Sequence, residues 1–181
     1  MVDKFKFDLK EYILYLLQRI EPKQSGKLKL NKIAFFVEFG YIHKTGKELS
    51  NAKYAGIPLG PVINDYKTVL EKMEKDGLVI IDANCIRPLK GPSLHVPEEV
   101  ERIIDPLIEK YSTLSETELV NLSHMTDSYL ITTGGNKKMG KLIDKKLAAL
   151  ESFYDDDYCE DEIDEGNLPK IDKKDIIPYG I

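Results

Sequence analysis

The sequence predicts a compact, mainly α-helical domain of the α+β class, with about six helices, a small β-hairpin after the third helix and an acidic C-terminal tail. Three observations favour this fold class. Apolar residues recur at helical spacing through most of the first 150 residues. One short β-branched run is followed by turn residues and a second short run. The net charge of -5 divides unevenly, because residues 151–181 hold 11 acidic and 3 basic side chains while residues 1–150 hold 20 acidic and 23 basic ones.

The first two helices are predicted from capping signals and apolar spacing. Asp8, with a glutamate three residues later, forms a variant of the capping box ahead of a helix over about residues 9–20. The next segment, KLKLNKIAFFVEFGYIHKTG, is apolar on nearly all sides and has Gly46 placed to end a helix. We therefore expect this second helix at the centre of the core, with Gly40 permitting close contact with another helix.

The segment AKYAGIPLGPV, residues 52–62, is apolar but cannot form a regular helix, because it contains two glycines and two prolines. Pro61 suits the first turn of a third helix that ends at Gly77. The run LVII and the return at residues 85–89 then predict a β-hairpin. This hairpin needs a helix face to pack on, because an isolated two-stranded hairpin is marginally stable in water.

The C-terminal half of the domain is predicted to be helical. Pro97 opens a helix that Pro106 should kink or divide. A clear capping box of Ser115 and Glu118 begins a short helix after it. Residues 137–153 have the apolar spacing of a last amphipathic helix.

Residue patterns typical of catalysis or metal binding are missing. The chain holds three histidines, His43, His95 and His124, and lacks H-E-x-x-H, G-x-S-x-G, Walker A and G-x-G-x-x-G motifs. Cys85 and Cys159 lie in unrelated contexts and indicate neither a disulfide framework nor a zinc site. We expect no catalytic residue, no metal and no cofactor. We expect His43 to satisfy the last carbonyls of the second helix.

Two other functions stay open. His124 could act in a small hydrolase or transferase, although a hydrogen-bonded structural histidine is favoured. A helix followed by a hairpin could also bind nucleic acid as a winged-helix-like regulator, using lysines of the second helix such as Lys29 and Lys32. The small basic surplus and the three arginines give a weak footprint for phosphates, so a solvated lysine face is favoured and nucleic acid is not an expected partner.

From the second helix onward the sequence resembles the Panacea domain, a SocA-like or GepA-like family of bacterial and phage antitoxin domains. The first matching elements are KLNK at residues 29–32 with the aromatic helix, HKTGK at residues 43–47 and, above all, residues 54–61 with their Gly-Pro pair. The pattern Y-x-x-L-S-x-x-E-L at residues 111–119, followed by Ser-His at residues 123–124, resembles the family's second motif.

This resemblance covers about residues 8–150 and suggests two parts, a Panacea-like helical domain over residues 1–150 and an acidic tail over residues 151–181. Many family members carry a tryptophan shortly after the histidine, where this chain has Tyr129. The tail contains DDDYCEDE at residues 155–162, which repels itself and is expected to be solvated and mobile.

The resemblance implies a non-enzymatic antitoxin that neutralises a co-encoded protein toxin by direct contact, as in type II toxin–antitoxin pairs. For some members it implies action as proteolytic adaptors, with a protease such as ClpXP as a partner. An acidic tail would speed encounter with a basic toxin. With no apolar run of about 20 residues and no signal-peptide pattern, we expect a cytoplasmic protein without a membrane partner.

Candidate binding residues lie around the AKYAGIPLGPV segment. Its dense hydrophobicity favours a plug in the core over a recognition surface. In that case its polar neighbours would form the rim of the binding surface. The structural motif is Gly56, Pro58, Gly60 and Pro61. The toxin-binding candidates are Lys53, Tyr54, Asn64, Asp65, Tyr66 and His124.

Overall fold

A computed structural model describes residues 5–22 and 25–155, and within them the mainly α-helical α+β class is confirmed. The helices are α1 Leu9–Arg19, α2 Lys27–Thr45, α3 Tyr66–Lys75, α4 Glu98–Ser112, α5 Glu116–His124 and α6 Asp127–Thr133. The strands are β1 Tyr54–Ile57, β2 Gly60–Ile63, β3 Val79–Asp82, β4 Cys85–Pro88 and β5 Lys141–Leu142. Two 3₁₀ helices follow, Lys145–Leu150 and Ser152–Tyr154. Within residues 5–22 and 25–155, none of the helices has both the length and the apolar character of a membrane-spanning segment.

Helix α2 forms the centre of the molecule, as its sequence predicts. All its residues from position 29 to position 42 are buried, and α4, α5, β2 and the first 3₁₀ helix pack around it. Gly40 lies against α4, where a Cβ atom would come within 3.0 Å of Leu107 Cδ1. The expected close contact at this glycine is therefore confirmed. The hydroxyls of Tyr12 and Tyr54 both donate to Ala34 O at 2.9 Å, which ties α1 and β1 to the same turn of α2.

The ends of α1 and α2 follow local capping rules. The Asp8 carboxylate accepts from Lys10 N at the start of α1, and Gly46 ends α2 with φ of 69°. The second half of the expected capping box is replaced by a tertiary contact, because the Glu11 carboxylate accepts from Ser93 N and Oγ at 2.7 and 2.9 Å.

The AKYAGIPLGPV segment forms an antiparallel β-hairpin, which was not predicted from the sequence. Strands β1 and β2 pair from Tyr54 opposite Ile63 to Ile57 opposite Gly60. The prediction that Pro61 opens a helix is wrong, since Pro61 lies in β2 and α3 begins only at Tyr66. Proline is tolerated here because β2 is an edge strand in the order β2-β1-β5.

The predicted last helix over residues 137–153 is also wrong. The chain instead forms β5, which pairs antiparallel with β1, and then two 3₁₀ helices. Gly140 adopts φ of 75° and donates its N–H to Gly56 O at 2.8 Å, and Ile143 N donates to Tyr54 O at 2.8 Å. Pairing with β1 therefore overrides the local helical spacing.

The remaining elements match the predictions more closely. The β3–β4 hairpin forms as expected, and the capping box of Ser115 and Glu118 is present at the start of α5. Helix α4 is not divided at Pro106, because its apolar face is buried on both sides of the proline.

The expected tail lies mostly outside the described residues, which end at position 155. The residues just before that point pack against the body. Glu151 is fully buried, with its carboxylate accepting from Asp127 N and Ser128 N at the start of α6. The Phe153 ring stacks on Phe36 with ring centroids 5.5 Å apart.

Candidate functional site

The hairpin formed by β1 and β2 is held on one side by two polar side chains of α2. Asn31 Oδ1 accepts from Ile63 N at 2.8 Å, and Lys32 Nζ donates to Pro61 O at 2.8 Å. Both side chains are fully buried. Neighbouring positions of the KLNK motif thus satisfy the outward-facing backbone groups of the edge strand β2, which would otherwise be buried without partners.

On the other side, α5 and α6 hold the turn of the same hairpin. The Tyr129 hydroxyl donates to Ile57 O at 2.8 Å. His124 Nε2 lies 2.9 Å from Pro58 O, and its Nδ1 lies 2.8 Å from Val120 O. We call Asn31, Lys32, His124 and Tyr129 the hairpin support. Three of the segments quoted for the family resemblance, residues 29–32, 54–61 and 123–124, therefore meet at one place in the fold.

Close approach at this place depends on two glycines. A Cβ atom on Gly60, whose φ is 90°, would lie 2.2 Å from Ser123 Oγ and 2.9 Å from Lys32 Nζ. A Cβ atom on Gly56 would lie 2.5 Å from Thr133 Cγ2. A side chain at either position would collide, and at Gly60 it would also require a left-handed backbone.

Burial dominates the electrostatics of Lys32 and lowers the pKa of its amine well below the usual value. Lys29 is also buried, donates to Ser112 O at 2.7 Å and has a lowered pKa, although Glu116 and Glu118 act in the opposite direction. The expected solvated lysine face is therefore wrong at these two positions, because the hairpin and α4 cover them. The nucleic-acid alternative relied on these two lysines.

His124 has the contacts of a structural linker. Only 7% of its surface is exposed. Burial lowers its pKa, the contacts with Val120 O and Pro58 O act in the opposite direction, and Lys32 lowers it further. A neutral imidazole donates through one nitrogen only, so both carbonyl contacts cannot be full hydrogen bonds at once. Its ring meets Tyr129 edge to face, with ring centroids 5.0 Å apart.

The other binding candidates separate into exposed and buried groups. Lys53 and Asp65 are exposed and Asn64 is half-buried. They lie together at the open end of the hairpin, where Asn64 N donates to Lys53 O and Asn64 Nδ2 donates to Asp65 Oδ2. Tyr54 and Tyr66 are buried in the core. These two tyrosines offer no surface to a partner in this conformation.

A buried ion pair joins Glu38 of α2 to Lys145 and was not predicted from the sequence. The Glu38 carboxylate is fully buried and lies 2.8 Å from Lys145 Nζ. It also accepts from Leu49 N, Ser50 N and Ser50 Oγ. Burial raises the pKa of Glu38, whereas Lys145 and Ser50 act in the opposite direction. A single charge within the apolar run AFFVEFG was the available signal.

The prediction that His43 satisfies the last carbonyls of its own helix is wrong. Its Nδ1 lies 3.1 Å from Ala148 O and its Nε2 lies 3.1 Å from Asp155 Oδ1, so it joins the end of α2 to the C-terminal segment. Among the described residues, no group of three or more His, Cys, Asp or Glu side chains could hold a metal ion.

Comparison with known proteins gives one match. The family model described as antitoxin SocA-like, Panacea domain, matches residues 30–128. No curated protein and no solved structure matches the chain. The matched residues cover more than half of the chain and include the β1–β2 hairpin and three of its four supporting side chains. The chain therefore belongs to the family of SocA-like antitoxins with a Panacea domain.

Proposed function

We propose that this protein is the antitoxin of a type II toxin–antitoxin pair and that it neutralises a co-encoded toxin by direct protein–protein contact. The family match over residues 30–128 carries the proposal, because an antitoxin family implies a toxin partner. We further propose that the toxin is a protein, that it is bound in the cytoplasm, and that binding alone inactivates it.

A binding role without catalysis fits the contacts of the titratable groups at the hairpin. Lys32 Nζ and both ring nitrogens of His124 face backbone carbonyls. A general base needs a lone pair that reaches a substrate, and a nucleophilic amine needs access to one. These two groups instead fix the position of the hairpin, so we infer a structural role for both.

The exposed residues at the open end of the hairpin are the proposed contacts with the toxin. Exposed Lys53 and Asp65 and half-buried Asn64 lie at the end of a hairpin whose strand β2 is held by buried side chains of α2. A surface fixed before binding loses less conformational entropy when the partner arrives. The hairpin support would thus contribute to affinity without touching the toxin.

The test is a growth experiment followed by co-purification. The open reading frame adjacent to the gene is induced in a bacterium with and without this protein. We expect growth to stop when the neighbour is induced alone, to recover when both are present, and the two products to purify as a complex. A harmless neighbour, or rescue without a complex, would contradict the proposal.

A proteolytic adaptor would rescue growth by a different route. In that case the level of toxin would fall in the presence of this protein, and the fall would require a protease such as ClpXP. We expect instead a stable toxin within the complex. Following the toxin level after synthesis is stopped, in cells with and without the protease, separates the two routes.

A further inference from the structure

Exposed apolar side chains are grouped in one part of the body. Four of the seven large apolar side chains exposed in the described residues lie between positions 130 and 150. Ile131 is 65% exposed, Leu142 53% and Leu150 82%. These residues belong to α6, β5 and the following 3₁₀ helix, and α6 packs against the other two. Such a group marks a contact surface more often than scattered single residues do.

The same stretch is rich in lysine. Lys137, Lys138, Lys141 and Lys146 are exposed, and none forms an ion pair with a described residue. The one acid between positions 128 and 150 is Asp144, whose carboxylate accepts from Lys146 N to cap the 3₁₀ helix. We define the lysine–leucine face as Ile131, Lys138, Lys141, Leu142, Lys146 and Leu150.

The lysine–leucine face borders the open end of the hairpin. Strand β5 pairs with β1 through Ala55 opposite Leu142, and Ile143 N donates to Tyr54 O, next to the exposed Lys53. In the sheet order β2-β1-β5, the outer edge of β5 has no partner strand among the described residues. The face therefore extends the proposed contact region with further positive charge.

We propose that the lysine–leucine face is the main docking surface for the toxin and that it fits an acidic protein surface with an apolar centre. This inference rests on the proposed antitoxin function. The leucine and isoleucine side chains supply the apolar centre of the contact, and the lysines supply a rim that attracts negative charge. The acidic segment over residues 155–165 complements the lysines but holds one aliphatic side chain, Ile163, against the three exposed apolar side chains of the face, whereas a folded partner supplies an apolar surface of matching size.

The experiment uses the full-length protein, with the product of the adjacent reading frame as the probe. One variant reverses three charges of the face, Lys138→Glu with Lys141→Glu and Lys146→Glu. A second removes apolar contacts, Leu142→Ser with Leu150→Ser. The matched control reverses three exposed lysines of α3, Lys67→Glu with Lys72→Glu and Lys75→Glu. Thermal melting followed by circular dichroism verifies that each variant is folded.

We expect the charge reversal to weaken toxin affinity at least about tenfold at low salt, with a smaller effect at high salt because surface charges are screened. The apolar variant should weaken affinity to a similar degree with little salt dependence. The α3 control should bind as tightly as the unchanged protein. Calorimetric titration at two salt concentrations measures all three.

The possible failures are distinguishable. If the unchanged protein binds and neutralises the toxin and both face variants bind equally well, the docking surface is wrong and the antitoxin function stands. If the unchanged protein does not bind the adjacent product, the proposed function fails and the docking proposal with it.

Two other occupants of the face would also overturn the proposal. A dimer of the free protein that dissociates in the apolar variant would assign the face to a second copy of this chain. Carbodiimide cross-links from Lys138 or Lys141 to the acids of residues 156–165, with tighter toxin binding by the charge variant, would assign it to the chain's own acidic segment.

Discussion

Gly60 shows how one residue controls the close packing at the hairpin support. Its φ of 90° and its contact with Ser123 leave no room for a Cβ atom. We expect Gly60→Ala to lower the free energy of unfolding by about 1–3 kcal/mol, from left-handed backbone strain and collision together. Gly134→Ala is the matched control, since Gly134 has φ of 58° with nothing within 4 Å of its Cβ position. Equal losses in denaturant unfolding would mean that the collision contributes nothing.

Lys32 leads to a second prediction at the residue scale, which concerns how folding stability depends on pH. Because burial lowers the pKa of Lys32 in the folded state, the unfolded chain binds more protons at this side chain as pH falls below the usual pKa of a lysine. Folding stability therefore falls as pH decreases below that value, and Lys32→Met should remove that contribution. We expect the stability of Lys32→Met relative to the unchanged protein to increase as pH falls from 9.5 to 7. Exposed Lys44→Met should leave the pH profile as it is.

The residue scale also shows where sequence reasoning succeeds. Gly40 and Gly46 were assigned correctly, because the need for a close helix contact or a left-handed helix end is visible in the local sequence. Lys32 was assigned wrongly. A lysine on a helix is normally solvated, and nothing in its neighbours along the chain shows that a distant strand covers it.

At the scale of elements, the ion pair of Glu38 with Lys145 joins α2 to the C-terminal 3₁₀ helix. Lys145→Met leaves the Glu38 carboxylate buried without its cation, and we expect a loss of about 3–5 kcal/mol in the free energy of unfolding near neutral pH. Since burial already raises the pKa of Glu38, this loss should shrink as pH falls and the carboxyl takes up a proton. Denaturant unfolding at pH 7 and pH 5 measures it.

The control for this prediction replaces both partners. Glu38→Gln with Lys145→Met removes the buried charge and should recover part of the lost stability at neutral pH. A double variant less stable than Lys145→Met alone would show that the hydrogen bonds of Glu38 to Leu49 and Ser50 matter more than its charge.

Elements differed in how well they were predicted, for a physical reason. Helices α1, α2 and α5 were located from caps and apolar spacing, which are interactions within a few residues. The sheet β2-β1-β5 was missed, because β1 and β5 pair across more than 80 residues and β5 is only two residues long. Residues 137–153 have apolar residues at helical spacing, but hydrogen bonds to the distant strand β1 determine the structure at their start.

At the scale of the whole molecule, charge is distributed unevenly, so that different parts of the chain would attract a basic toxin and an acidic toxin. The acidic tail would attract a basic toxin, whereas the lysine–leucine face would attract an acidic one. We expect removal of residues 156–181 to leave toxin affinity unchanged or to raise it, because the deleted segment has the same sign of charge as the proposed partner. This deletion leaves Glu151 and its contacts with α6 in place.

Titration of the toxin with the shortened protein at low salt provides the measurement. Weaker binding after the deletion, together with unaffected binding by the lysine variants, would favour a basic toxin captured by the tail. The unshortened protein at the same salt concentration is the reference.

By itself the sequence determined that the chain belongs to an antitoxin family, that α2 lies at the centre, and where α1, α2 and α5 begin, because each of these depends on motifs or spacing within short segments. Only the tertiary structure decided that the Gly-Pro segment is a hairpin, that Lys32 and His124 point inward to hold it, and that residues 141–142 form a strand paired with β1. Those features depend on residues far apart in the chain, and their burial and pairing are settled only when the core is assembled.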